Sequence, residues 1–279
     1  MSLARLGSYP KRPAPLTMNK AALATCWILA LLGGCPRAFG QANRQLDRNS
    51  IGWYVYNGDH KLSRKWELHT EYQWRRIDFI KTWQQSLARL GFAYQATDKV
   101  KIAAGYTHFV TFPYGNYPVA DRGVPTSEHR THQDVQWQDT SGRLQLSHRI
   151  RLEQRWLGQP AENNPRRVAA WEFQNRIRYQ LQAEFPLSGT TIGDREFYLT
   201  FFDELFLGFG KNVANNIFNQ NRIFGGLGYQ VTEGFQLEFG YLNQLTQHAE
   251  NDALTGKPVF EVNNGFRLNI NHSLDFTKR

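Results

Sequence analysis

Between Gly142 and Leu157 the chain reads GRLQLSHRIRLEQRWL, and numbering it through separates two kinds of residue. The even positions hold Leu144, Leu146, His148, Ile150, Leu152, Gln154 and Trp156, while the odd ones hold Arg143, Gln145, Ser147, Arg149, Arg151, Glu153 and Arg155. Strict alternation puts the two sets on opposite faces of a β-strand, because successive side chains of a strand point to opposite sides of the sheet. The rhythm recurs. Trp66, Leu68, Tyr72 and Trp74 oppose Glu67, His69, Glu71, Gln73 and Arg75, and Val100, Ile102, Ala104, Tyr106, Val110 and Phe112 fall on one side. Further on, Trp171, Phe173, Ile177, Tyr179 and Leu181 oppose Glu172, Gln174, Arg176, Arg178, Gln180 and Gln182, and Phe235, Leu237, Phe239 and Tyr241 line up again. No helical period fits these lists.

The pattern predicts eleven strands at 51–57, 65–76, 84–95, 99–112, 129–139, 143–156, 168–183, 195–209, 219–231, 235–247 and 259–276. Most reach ten residues, against about five or six for an ordinary soluble strand, and about ten tilted residues cross a hydrocarbon layer. The connectors sort by length. ATD, TSG and TEG follow the third, fifth and ninth strands, whereas PYGNYPVADRGVPTS, GQPAENNPRR and HAENDALTGKP follow the fourth, sixth and tenth. Long loops on one side and short turns on the other mark an antiparallel up-and-down transmembrane β-barrel of the bacterial outer membrane. Parity with a periplasmic C-terminus raises the count to about twelve strands (10 to 12), with the extra one expected in QANRQLDRNS before residue 51. The last strand, NNGFRLNINHSLDF, keeps Phe266, Leu268, Ile270, Leu274 and Phe276 on one face. That ending resembles the signal read by the outer-membrane barrel assembly machinery, apart from the three residues that follow Phe276.

Composition narrows the class. Of 279 residues 14% are aromatic, yet the only long apolar run is AALATCWILALLGG at 21–34, behind Lys20 and ahead of a small-residue exit at Ala38–Gly40. It reads as a secretory signal peptide cleaved before Gln41, in a chain whose true start is Met18 rather than Met1. Residues 1–40 are then extension and leader, and 41–279 the barrel. LGGC at 32–35 offers a lipoprotein cleavage site as an alternative. Both cysteines, Cys26 and Cys35, lie in the leader, so a disulfide scaffold is excluded for the mature chain. The formal charge of +9 loses five basic residues with the leader, leaving 28 basic against 24 acidic residues, a balance of +4. That is too small to suggest nucleic acid. The expected surroundings are outer-membrane lipids and lipopolysaccharide of a Gram-negative cell.

The stretches LSHRIRLEQRW, FFDELFLGFG, FNQNRIFGGLGYQV and LEFGYLNQ together resemble the uncharacterised domain-of-unknown-function family 2490 of outer-membrane β-barrels, over most of residues 51–247. The resemblance implies a fold and a location. It implies no activity and no functional residues.

Strand parity gives a set of lumen residues: Arg149, Arg151, Glu153, Arg155, Glu172, Arg176, Arg178, Glu204, Arg222, Glu238 and Arg267. They read either as a packed polar interior, with cross-strand pairs worth about 0.2–1 kcal/mol each, or as a narrow, arginine-lined diffusion path favouring anions. No catalytic signature is present, and the chain reads as a non-enzyme without cofactor or metal. Two alternatives stay open. His148 on the apolar face, with the outward Ser86, suggests a lipid hydrolase on the barrel wall. A soluble periplasmic β-barrel or sandwich binding an apolar ligand would carry the same alternation with the apolar face inward. Asp203 also falls on the apolar side, and a β-bulge turning both Asp203 and Glu204 inward is the expectation there. His132 and Asp134 share a face, while His129 points the other way, which leaves a metal two ligands at most. Gly225, Gly226 and Gly228 are read as easing strand curvature or making room for bulky lumen groups, rather than as a phosphate loop.

Overall fold

The computed structural model describes residues 43–117, 123–214 and 216–277. The expected leader at 1–40, its two cysteines and both candidate start sites lie outside them. Eleven strands follow in order: β1 (Gln45–Lys61), β2 (Trp66–Ile77), β3 (Thr82–Gln95), β4 (Val100–Thr111), β5 (Thr126–Ser141), β6 (Leu144–Pro160), β7 (Val168–Pro186), β8 (Glu196–Phe209), β9 (Phe218–Thr232), β10 (Phe235–Asn251) and β11 (Pro258–His272). Each pairs antiparallel with its sequence neighbour, and the sheet closes where β1 meets β11. With an odd number of strands that closing pair must run parallel, and it does so from Gln45↔Val259 to Gly58↔His272. The twelfth strand that parity placed in QANRQLDRNS is not found among the described residues. Gln45–Ser50 instead lengthen β1 and pair with β11.

All eleven expected strands are present, most of them longer than the alternation alone indicated. Long connectors at 112–125, 161–167 and 252–257 gather at one end with the start of β1, and the two-residue turns at 142–143 and 233–234 lie at the other.

The wall is inside out for a water-soluble body. Leu90, Val135, Ile150, Ile177, Leu205, Ile223 and Leu227 are exposed, whereas Asp47, Arg75, Arg151, Glu153, Arg178 and Glu204 are each at most 6% exposed. The soluble alternative required the apolar face to line the interior, and the strands face the other way. Outward aromatics cluster near both rims: Trp66 against Tyr94 and Phe197 against Tyr229 at the short-turn end, Trp83 against Phe112 and Trp156 against Phe173 at the long-loop end.

The interior is not wholly polar. Ile51, Gly265, Leu242, Phe224 and Phe202 succeed one another across β1, β11, β10, β9 and β8 in one row of the sheet. Four of the five carry apolar side chains that pack into a buried cluster with Trp53 and Val55. Tyr198 needs similar space, and Gly228 supplies it, since a Cβ there would run into the tyrosine ring. This is the room that the FGGLGY glycines were expected to make.

Candidate functional site

The interior charges of β5–β8 form a ladder of three ion-paired groups. Glu128 accepts Arg130 (Nε, 2.6 Å) and Arg155 (Nη2, 3.1 Å). Asp134 binds Arg151 through both carboxylate oxygens, at 2.6 and 2.5 Å. Glu153 accepts Arg176 (Nε, 2.9 Å) and Arg178 (Nη1, 2.6 Å), and Arg178 reaches on to Glu204 (Nε, 3.0 Å). Glu204 also accepts Arg149 at 2.8 Å. Register explains the pattern: Glu153 stands opposite Arg176 and Glu204 opposite Arg222, while Arg151 faces Arg178. Two guanidiniums directly opposite repel, so Arg151 takes Asp134 from the same row on β5, and Arg178 takes Glu153 and Glu204 from the rows on either side. On the other side of the barrel Arg89 pairs with Glu71.

Beside the ladder lies a cavity of about 270 Å³. Its lining runs from Asp59, Lys101, Gln182 and Asn271, near the short-turn ends of their strands, inward to Trp53, Arg75, Arg130, Phe202 and Arg222. Nine basic side chains line it against five acidic ones, an excess of positive charge held in a concave, largely polar space. Such a space focuses potential on small anions.

Toward the long-loop end the lining stops, and the β4–β5 loop bends over the interior. Tyr114 donates its hydroxyl to Glu261 (2.6 Å), and Asp47 accepts the Asn116 amide nitrogen (3.1 Å), its side-chain amide (3.2 Å) and the Tyr117 N–H (3.4 Å). Gly115 makes the close approach possible: its φ is +71°, and a Cβ there would collide with the Asp47 carboxylate. Burial of the Tyr114 ring, and then the charge and hydrogen bond of Glu261, push its hydroxyl well above the usual tyrosine value. It therefore stays a donor.

All eleven expected lumen residues turn inward, but they do different things. Arg149, Arg151, Arg178, Glu204, Arg222, Glu238 and Arg267 line the cavity. Glu153, Arg155 and Arg176 lie in the ladder outside it, and Glu172 sits near the long-loop rim holding Gln159 and Gln174. The parity list missed Arg75, Arg89, Arg130 and Asp134. Arg75, Arg130 and Asp134 stand on polar faces that the same alternation marks, whereas Arg89 shares its inward face with Leu87 and Ala93.

His148 and Ser86 do face outward, but the structure does not bring them together. Ser86 pairs with β2 and β4, and His148 with β5 and β7. Each already has a tyrosine partner, Ser86 with Tyr72 at 3.5 Å and His148 with Tyr179 at 2.9 Å, and Trp137 stacks on the His148 ring at 4.8 Å. A nucleophile and base must share a hydrogen bond, so the pair forms no hydrolase site. The bulge expected at Asp203–Glu204 is absent as well: β8 stays in register with β7 there. Asp203 remains outside, and its partner is the neighbouring Asn221, whose amide donates at 2.6 Å. Local hydrogen bonding takes the place of a register shift. His132 and Asp134 are both buried inside, and Arg151 occupies the Asp134 carboxylate.

Comparison with known proteins gives three findings. The profile of a family described as "Protein of unknown function (DUF2490)" matches residues 51–255. A solved structure described as the NanC porin in a rhombohedral crystal form aligns with 80% of this chain and 98% of its own, at 13% identity and a TM-score of 0.46. No curated protein sequence matches.

Proposed function

This chain belongs to the DUF2490 family, and from that premise and its inverted wall we propose that it is an integral outer-membrane β-barrel enclosing a narrow, arginine-rich vestibule. The observation that carries the reading is the pairing of two facts: large apolar side chains exposed all around the wall, and a surplus of guanidinium groups around the interior cavity. A lipid layer is the solvent that accepts the first, since closed sheets are one of two forms in which every backbone group is satisfied within hydrocarbon. The rim aromatics support the same placement, as girdles at the two interfaces. With the short turns periplasmic, the vestibule opens to the periplasm and the β4–β5 loop covers its far end. The barrel is then chiefly structural, with a low-conductance path that favours anions.

Fractionation with heat-modifiable gel mobility, followed by planar-bilayer recordings, tests this. Recovery in the outer membrane with small anion-favouring currents is expected, and converting both Arg149 and Arg151 to Gln should lower the anion preference. Recovery in the soluble fraction, or selectivity unchanged by that double variant, would overturn it.

A further inference from the structure

Most interior arginines have a carboxylate within 3 Å, but three around the inner end of the cavity do not. Arg75 hydrogen-bonds to the neutral Gln73 (Nε, 2.7 Å) and Gln85 (Nη1, 2.5 Å). Arg222 lies 3.8 Å from Glu204, whose other oxygen Arg149 and Arg178 already hold. Arg267 makes no ion pair among the described residues, and its Nε is buried without a hydrogen-bond partner. The sheet draws them together. Arg75, Trp53 and Arg267 stand side by side on β2, β1 and β11. Arg75 and Arg222 both lie over the Trp53 ring, at 3.8 and 4.9 Å, and Arg267 lies 5.2 Å over Phe202. The nearest carboxylate on β10, Glu238, is engaged by Tyr198 (3.1 Å) and Asn269 (2.7 Å).

Aromatic faces attract a cation, but they do not neutralise it. One buried guanidinium, Arg75, and two partly buried ones, Arg222 and Arg267, around one apolar floor leave a field that a negative ligand would offset, and planar N–H forks match the geometry of an oxyanion. At about 30 Å³ per water the cavity holds on the order of nine waters, which limits the ligand to a small solute.

We propose that Arg75, Arg222 and Arg267 form a binding site for a small oxyanion, a carboxylate or a phosphate, at the inner end of the vestibule. The inference rests on the vestibule reading but not on conduction. Binding is therefore measured on the full chain in detergent micelles, where a failure of the bilayer experiment leaves it untouched. Calorimetric titration with inorganic phosphate and with malonate in separate arms, at constant ionic strength and with glycerol as the neutral control, should give saturable binding of at least one anion. Arg267→Gln should weaken it about ten- to one-hundred-fold, the worth of one charge-assisted contact, with Arg222→Gln as a second variant. The anion should also perturb tryptophan emission, and that change should vanish in Trp53→Phe.

A ligand site has a further signature. Because Arg267 makes no ion pair among the described residues, Arg267→Met should leave the anion-free barrel as stable as the parent or more so, which an arginine with a merely structural role would not. Absence of saturable binding by the parent protein for both anions overturns the proposal. So does equal affinity in the folded Arg267→Gln and Arg222→Gln variants, or a clear loss of stability in Arg267→Met.

Discussion

Glu153 is the acid on which the ladder turns, and replacing it with Gln is the sharpest test of the interior. Its carboxylate is 1% exposed, lies outside the cavity lining and accepts three N–H groups, from Arg176 Nε (2.9 Å), Arg176 Nη2 (2.6 Å) and Arg178 Nη1 (2.6 Å). Glutamine keeps the shape and one acceptor but removes the charge. Arg178 retains Glu204, whereas Arg176 keeps only the side-chain amide oxygen Oδ1 of Asn219, at 2.7 Å, as a hydrogen-bond acceptor. Breaking a buried pair by deleting one partner costs about 3–5 kcal/mol, because the other charge stays behind. That is a factor of about one hundred to several thousand in the folded-to-unfolded ratio. Equilibrium unfolding in denaturant from micelles, read by heat-modifiable mobility, measures it. Replacing Glu153 and Arg176 together by Leu should recover most of the loss, since no orphaned charge then remains. A cost below about 1 kcal/mol for Glu153→Gln, the range of a solvated surface pair, would mean that water reaches these guanidiniums and that the ladder is not a buried network.

Three other outcomes follow. Ile150→Arg on the outer face should cost about 2–4 kcal/mol if that face meets hydrocarbon, but no more than about 0.5 kcal/mol if it meets water; the same unfolding assay decides. Asp47→Asn should loosen the β4–β5 loop and raise single-channel conductance and proteolysis between residues 112 and 125, while unchanged values would show that the loop does not occlude the interior. The Tyr114 hydroxyl has its pKa raised by burial and by Glu261. A raised pKa contributes stability that is complete below the unfolded value of about 10 and is lost as pH climbs through the folded one. The loop contact should therefore persist at pH 9 and fail only in stronger alkali, and ultraviolet titration of Tyr114→Phe should lack one phenolate step above the ordinary tyrosine range.

The sequence exposed the wall far better than the interior. Alternation through Leu144–Trp156 or Phe266–Ile270 fixes which side chains share a face, and strand length with loop asymmetry favours the apolar face outside over the soluble alternative. It falls short where both faces are apolar. In β8 Phe201 and Leu205 point out while Phe202 and Phe206 point in, so FFDELF has no readable polarity, and Asp203 looks misplaced until Asn221 is seen beside it. The anion-site trio was hidden for another reason. Arg75 and Arg267 lie 192 positions apart in the chain, and only the parallel closure of β1 on β11 makes them neighbours across Trp53. No local pattern carries that information. The odd strand count was hidden likewise, because the polar stretch Leu46–Ser50 shows no alternation of its own and acquires its pairing from β11.

Charges this dense inside a barrel are a poor way to gain stability, since burying ion pairs roughly cancels their attraction against desolvation. Their value lies in what they forbid. A one-residue slip of a strand exchanges its faces, and a slip of β6 would turn Arg149, Arg151 and Arg155 to the outside. Each arginine near the midplane of a lipid layer costs about 2–4 kcal/mol, so the slipped register would lie on the order of 10 kcal/mol above the native one. The correct pairs contribute about 0.2–1 kcal/mol each, far less than the penalty for error. The arginines of β6 and β7 thus specify register first, and whatever positive charge the carboxylates leave unbalanced becomes available to a ligand. Arg75, Arg222 and Arg267 lie off β6 and β7, against aromatic rings and with no carboxylate within 3 Å among the described residues, Glu204 standing 3.8 Å from Arg222. A role in register alone would be served by pairing them, and their lack of close acids is what sets the inner end of the vestibule apart from the ladder beside it.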